Sequence, residues 1–272
     1  MSLEDISQLL LTHKINPNKL LGQNFMVEPS LYPKLCSYVD LTATDVVLDP
    51  GAGLGFMTRF LSDKCRAIIA VEKDPQLADF LHEQVKGLDN VTVIKGDVFK
   101  VALPHFNKII AIPPYYLSSQ LIIWGLEHRV DCAVMILQKE FANRLIAAVG
   151  SEEYSWLTVV AQQNAEVKLF DYVPKTLFYP QPEVDSVILR LKPWITKPFE
   201  VKNNDVFVKL VKSLFTERNK KLSKAILPFL KGTLKFDKQT AVKLAQSIPY
   251  PDRRVRDLSP VDFGAIANEL LN

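Results

Sequence analysis

The chain has 272 residues, 48% hydrophobic and 23% charged, with a formal net charge of +3; it can bury a substantial core and has the composition of a globular protein. Cys36, Cys65 and Cys132 lie far apart and fit neither a disulfide framework nor paired zinc ligands, and no apolar run approaches the roughly 18 residues of a membrane helix. The N-terminus carries an early acidic pair, Glu4 and Asp5, and no apolar leader, so the expectation is a soluble, cytoplasmic protein with no membrane role.

In chain order, Val46-Val47-Leu48 reads as a strand that runs into a glycine-rich turn, Asp49-Pro-Gly51-Ala-Gly53-Leu-Gly55, and helical character follows from Met57 to Leu61. Ala67 to Val71 is a second strand and Pro75 to Val85 a helix. Val91 to Ile94, Lys108 to Ala111 and Cys132 to Leu137 give three more strands, with helical patterns over Gln120 to Leu126 and Lys139 to Ala148. Such alternation predicts an α/β fold built on a parallel sheet with helices on both faces. Ala165 to Phe170 and Val184 to Leu191 read as paired strands at the sheet's edge, which makes it mixed. Beyond Pro193 no strand pattern appears, and Val206 to Phe215, Lys220 to Leu230, Asp237 to Ser247 and Pro260 to Leu271 read as four amphipathic helices. The expected division is therefore a sheet domain over 1–192 and a small helical domain over 193–272. The second holds 15 Lys/Arg against 8 Asp/Glu, leaving 18 against 22 in the first. A basic appendage on a mildly acidic body suits a polyanionic partner, although lysine-rich helices are also often just solvated.

Three features carry chemistry. The glycine turn lets a nucleotide-like ligand lie against backbone. Asp49, Glu72 and Asp97 stand at the ends of three successive strands, where one crevice can present them to an adenosine: Glu72 to the ribose hydroxyls and Asp97 to the adenine amine. The spacing, G-x-G-x-G with an upstream acid, differs from that of dinucleotide sites. Third, the strand Ile109-Ile110-Ala111 ends in Ile112-Pro113-Pro114-Tyr115-Tyr116. Prolines cannot continue a central strand, so the chain turns out of the sheet and offers the Pro113 carbonyl and the Tyr115 ring to a planar amine.

In this order, the glycine turn, Val71-Glu72-Lys73-Asp74, Gly96-Asp97 and the Pro-Pro-Tyr turn resemble a class I S-adenosylmethionine-dependent methyltransferase. Leu21-Gly22-Gln23-Asn24-Phe25-Met26, Gln138-Lys139-Glu140 with Arg144-Leu145, Phe178-Tyr-Pro180-Gln-Pro182-Glu-Val184-Asp185-Ser186 and Phe215-Thr-Glu-Arg218-Asn219-Lys220 resemble the KsgA-type small-subunit rRNA adenine dimethyltransferases. The resemblance spans about residues 13–260 and implies a Rossmann-like methyltransferase sheet, S-adenosyl-L-methionine as cofactor, and a monomer acting on small-subunit rRNA in the immature subunit. It further implies that Asn24 and Met26 close over the cofactor and that Asp49, Gly51, Gly53 and Gly55 cradle it. Glu72 and Asp97, with Lys73 and Val98 beside them, would hold its adenosine. Tyr115 and Phe178 would sandwich a flipped adenine; the plainer reading of Phe178 is core packing. Lys220, Lys221, Lys224, Arg253, Arg254 and Arg256 are the candidate RNA contacts, with solvated surface as the alternative. No metal site is expected: His13, His82, His105 and His128 are scattered.

One position departs from the pattern. The family places an Asn, whose side-chain oxygen accepts one amine proton, where this chain has Ile112. The Pro113 carbonyl remains as acceptor for the other. A lost hydrogen bond to a developing charge costs roughly 1.5–3 kcal/mol, about 10- to 100-fold in rate. Three outcomes are open at this stage. Tyr116 or a water supplies the second acceptor; transfer is slow or stops at one methyl; or the protein is an assembly factor that binds rRNA without methylating it.

Overall fold

A computed structural model describes residues 3–18, 22–128 and 130–271; Leu21, the first residue of the N-terminal motif, lies outside them. Alternating strands and helices build a seven-stranded sheet from β2 (Val46–Pro50), β3 (Ala67–Glu72), β4 (Val91–Lys95), β5 (Lys108–Ala111), β6 (Cys132–Gln138), β7 (Ala165–Val173) and β9 (Ser186–Pro193). Its order is β4-β3-β2-β5-β6-β9-β7. β2 pairs in parallel with β3 and β5, β3 with β4 and β5 with β6, whereas β6 and β9 run antiparallel, Ala133 opposite Leu191 and Gln138 opposite Ser186. All seven strands fall where the apolar runs predict them. The central strands are buried on both faces, as near-continuous apolar runs require. The main core spreads from Leu35, Val47 and Ile68 to Ile110, Ile136, Phe178 and Ile188.

Two two-residue strands escape any periodicity argument: β1 (Phe25–Met26) pairs antiparallel with β8 (Phe178–Tyr179), Met26 opposite Phe178. Helices α1 (Leu3–Thr12), α2 (Tyr32–Tyr38) and α7 (Trp156–Asn164) are also additional to the sequence reading. The others are α3 (Phe56–Leu61), α4 (Pro75–Gln84), α5 (Ser118–Glu127), α6 (Lys139–Leu145), α8 (Asn204–Phe215), α9 (Leu222–Ala225), α10 (Leu227–Gly232), α11 (Lys238–Ser247) and α12 (Pro260–Glu269). The single helix expected over Lys220 to Leu230 is two, α9 and α10. Pro228 has no N–H for the i−4 carbonyl and stands instead in the first turn of α10, where that donor is not required.

The chain divides into two compact units, residues 1–142 with 166–193, and residues 143–165 with 194–272. This corrects the expected division at 192/193. The second unit does resume at Trp194, but it also takes residues 143–165, because α7 packs on α8 and α12. Tyr154, fully buried, donates its hydroxyl to the Leu258 carbonyl at 2.9 Å, and the Arg218 guanidinium donates to the carbonyls of Ser151 and Glu152 at 2.8 Å each. No helix among the described residues is long and apolar enough to cross a membrane.

Candidate active site

The carboxyl ends of the parallel strands open into a solvent-facing cleft of about 110 Å³. β2 delivers Asp49, 1% exposed, and then the glycine turn. Gly51 has φ +80°, and a Cβ there would stand 3.2 Å from Pro114 Cδ, so the turn after β5 comes down directly over this glycine. Gly55 opens α3 at φ +79°, the left-handed region that favours glycine, and a Cβ there would fall 2.5 Å from Leu81 Cδ1 of α4.

The three acids occupy different electrostatic states. Thr58 donates its hydroxyl to Asp49 Oδ2 at 2.6 Å, while Oδ1 is buried with no partner among the described residues. Burial pushes the Asp49 carboxyl up to about 7, the Thr58 hydroxyl working against it and the Glu72 charge with it. Glu72 Oε2 accepts from the Gly53 amide and Oε1 from the Asp74 amide, both at 2.8 Å; burial raises this carboxyl against those amides. For Asp97 burial also acts upward. The Phe99 amide at 3.1 Å and the Lys73 ammonium at 3.2 Å outweigh it and hold the carboxyl below its usual range.

After Ala111 the chain leaves the sheet through Ile112, Pro113 and Pro114 into a single 3-10 turn, Tyr115–Leu117, closed by Leu117 N–H donating to the Pro114 carbonyl at 3.0 Å. The Tyr115 hydroxyl meets Ser186 Oγ at 2.7 Å, and Ser186 is fully buried at the start of β9. Among the described residues nothing donates to the Pro113 carbonyl. The N-terminal segment lies over this turn: Gly22 is 3.3 Å from the Tyr116 ring, measured from where a Cβ would be, and Asn24 donates to the Gly22 carbonyl at 3.1 Å. Gln23 Nε2 reaches Asp74 Oδ2 at 3.0 Å, which fastens the segment to the strand end that carries Glu72.

All the residues proposed from sequence for cofactor and acceptor line this one cleft: Asn24, Met26, Asp49, Gly51, Gly53 and Gly55; Glu72, Lys73, Asp97 and Val98; and Ile112, Pro113, Pro114, Tyr115 and Phe178. Phe178, 1% exposed, is at once cleft wall and core. Sequence reasoning missed Thr58 and Ser186, the hydrogen-bond partners of two site residues, and Tyr32 and Met57 in the wall. Thr58 had a findable signal, since the first turns of α3 follow the glycine turn back over the end of β2; Ser186 closes the family-like segment from Phe178, but nothing local pairs it with Tyr115, 71 residues away.

In the second unit the two basic clusters meet. Lys221 and Arg254 form an antiparallel bridge, Leu222 N–H donating to the Arg253 carbonyl at 2.8 Å and Val255 N–H to the Lys220 carbonyl at 3.1 Å. Several of these cations already have partners: Lys220 pairs with Glu217, Lys221 with Asp252, Arg253 with Asp262, and Arg256 with Asp257. Arg254 donates to the Asn219 carbonyl, and exposed Lys224 has no ion pair among the described residues.

A mainly parallel sheet in which β9 runs antiparallel to β6, an acid at each of three successive strand ends and a glycine turn beside them define a class I methyltransferase fold. The chain belongs to the ribosomal RNA adenine dimethylase family, whose profile matches residues 14–253. It is 33% identical over 253 residues to a probable ribosomal RNA small subunit methyltransferase A of Methanosarcina mazei, covering 92% of each chain. Against the probable enzyme of the same description in Thermococcus gammatolerans it is 35% identical over 254 residues, 93% of this chain and 88% of the relative. A solved dimethyladenosine transferase from Plasmodium falciparum superposes with a TM-score of 0.76 at 27% identity, covering 89% of this chain and 95% of that one.

Proposed function

We propose that this protein transfers methyl groups from S-adenosyl-L-methionine to the exocyclic N6 amine of adenosines in small-subunit rRNA, forming dimethyladenosine during subunit assembly in the cytoplasm, and that it acts as a monomer. The observation that carries the reading is the approach of the Pro113-Pro114-Tyr115 turn onto Gly51, which puts an amine-binding turn against the glycine cradle inside one cleft.

The residues present fit the cofactor: a buried Asp49 oxygen lacks a partner among the described residues, and a Cβ at position 51 would crowd the cleft. When bound, S-adenosylmethionine supplies a methyl group on a positively charged sulfur. Glu72, both oxygens already oriented by backbone amides, keeps lone pairs for a ribose, and Asp97, held ionised, accepts from an adenine amine. Tyr115 and Phe178 stack on the target base. Extruding a base costs a few kcal/mol and stacking returns roughly 1–3 kcal/mol per base. The Pro113 carbonyl accepts one amine proton, aims the nitrogen lone pair, and stabilises the positive charge that develops on nitrogen. No general base is required beforehand, because the methylated amine cation is strongly acidic.

The joined basic surface of the second unit, with Lys221, Lys224 and Arg256 at its exposed face, docks RNA phosphates. No observation favours the non-methylating assembly factor. Incubation with methyl-labelled S-adenosylmethionine and immature small subunits, followed by nucleoside mass analysis, tests the proposal. Label in N6,N6-dimethyladenosine is expected, and subunits that stay unlabelled would refute it.

A further inference from the structure

We infer that Ile112 makes the acceptor pocket prefer the monomethylated amine over the unmodified one, so that the second methyl transfer outruns the first. The inference rests on the functional reading above and concerns its substrate preference. Ile112 is partly buried, packs on the main core and lines the cleft directly before the Pro113 carbonyl. Its side chain is all carbon. Two hydroxyls of the turn are engaged elsewhere, that of Tyr115 with Ser186 and that of Ser118 with the Tyr115 carbonyl at 2.7 Å, and Tyr116, half exposed, lies with its ring against Gly22. Next to the Pro113 carbonyl the turn therefore presents an apolar wall, the Ile112 side chain.

An unmodified adenine amine brings two N–H groups. One reaches the Pro113 carbonyl, and the other faces hydrocarbon, a loss of roughly 10- to 100-fold. N6-methyladenine brings one N–H and one methyl, which match the carbonyl and the isoleucine; a buried methyl contributes a further gain of about fourfold. The chemistry is the same in both steps. The nitrogen lone pair forms the new N–C bond while the C–S bond of the donor breaks, its electron pair staying on sulfur to give S-adenosylhomocysteine. The nitrogen then releases one proton to water. The first transfer consumes one of two N–H protons and the second consumes the last. A pocket with an Asn at this position has the opposite match, because its side-chain oxygen meets the methyl in the second step.

The test is a time course with enzyme in excess over immature small subunits and saturating S-adenosylmethionine, with nucleosides quantified by mass. With a second step at least tenfold faster, N6-methyladenosine stays below about a tenth of the acceptor sites throughout. Ile112→Asn should speed the first step about 10- to 100-fold and make N6-methyladenosine the main transient species. Ile112→Val, which keeps the apolar wall, should preserve the wild-type ratio. A binding measurement gives a second readout: with S-adenosylhomocysteine present, subunits reconstituted with N6-methyladenosine at the acceptor should bind wild type more tightly than unmodified subunits, and the order should reverse for Ile112→Asn. Accumulation of N6-methyladenosine by the wild type, or an unchanged ratio in Ile112→Asn, would overturn the inference while leaving the methyltransferase reading intact. No methyl transfer to either acceptor would overturn both.

Discussion

Asp49→Asn should stabilise the cofactor-free protein while damaging its ligand site. The Asp49 carboxyl, 1% exposed, has its pKa raised from the usual 3.8 to about 7 by burial. A raised acid pKa means that the folded state binds the proton more tightly than the unfolded chain. The penalty is absent below pH 3.8, grows as pH rises between the two values, and is complete above 7. A shift of about 3 pH units at about 1.4 kcal/mol each amounts to as much as about 4 kcal/mol, to an order of magnitude. Asparagine carries no charge at any of these pH values and can still accept from Thr58. The assay is urea unfolding of both proteins without cofactor at pH 5, 6, 7 and 8. The stability advantage of Asp49→Asn should climb by about 1.4 kcal/mol per unit up to pH 7 and then level off. Affinity for cationic S-adenosylmethionine, measured by calorimetry at pH 8, should fall. An advantage that is flat with pH, or that grows toward acid, would refute the idea that this carboxylate is held charged at a cost to the fold.

The Tyr115–Ser186 pair should behave as one unit. Tyr115→Phe and Ser186→Ala should each lower kcat/KM for small subunits several-fold, with cofactor affinity unchanged, and the double variant should be no worse than either single one; additive losses would mean that the serine does not act through the tyrosine. In the second unit, Lys221→Gln, Lys224→Gln and Arg256→Gln together should weaken rRNA binding. The slope of log affinity against log salt should also flatten by roughly 0.7–0.9 for each phosphate that is no longer neutralised. Unfolding midpoints should move little, since exposed ion pairs contribute on the order of 0–1 kcal/mol. An unchanged salt slope would place RNA elsewhere.

The sequence made the sheet and the cleft floor legible because both are local. Apolar runs of four to seven residues mark the central strands, and an acid or a proline just past such a run must stand at the sheet's end, as Asp49, Glu72, Asp97 and Pro113 do. What stayed hidden depends on pairing across long separations. Met26 opposite Phe178 is a register of two residues, too short for any period. The Ser186 partner of Tyr115 lies on a strand whose residue pattern reports burial and not which hydroxyl it faces. For α7, the largely apolar run from Trp156 to Ala161 says that the helix will be buried but not against which core, and it is α8 and α12, both beyond Pro193, that pack on it. The basic clusters around 220 and 254 were visible as charge; their junction is a backbone bridge with no side-chain signature.

The discontinuous make-up of the second unit bears on how the chain is made. It crosses between units three times, after residues 142, 165 and 193. During synthesis from the N-terminus, α7 emerges before β7 and β9, while its partners α8 and α12 are among the last residues made. Tyr154 waits for the carbonyl of Leu258, more than a hundred residues later, and Ser151 and Glu152 wait for Arg218. For that interval α7 lacks the helices that bury it, while the last strands of the sheet are made. The same arithmetic makes the C-terminal helices poor modular parts: a graft cut at Trp194 would leave α7 behind, so a chimaera with a relative must exchange residues 143–165 and 194–272 together.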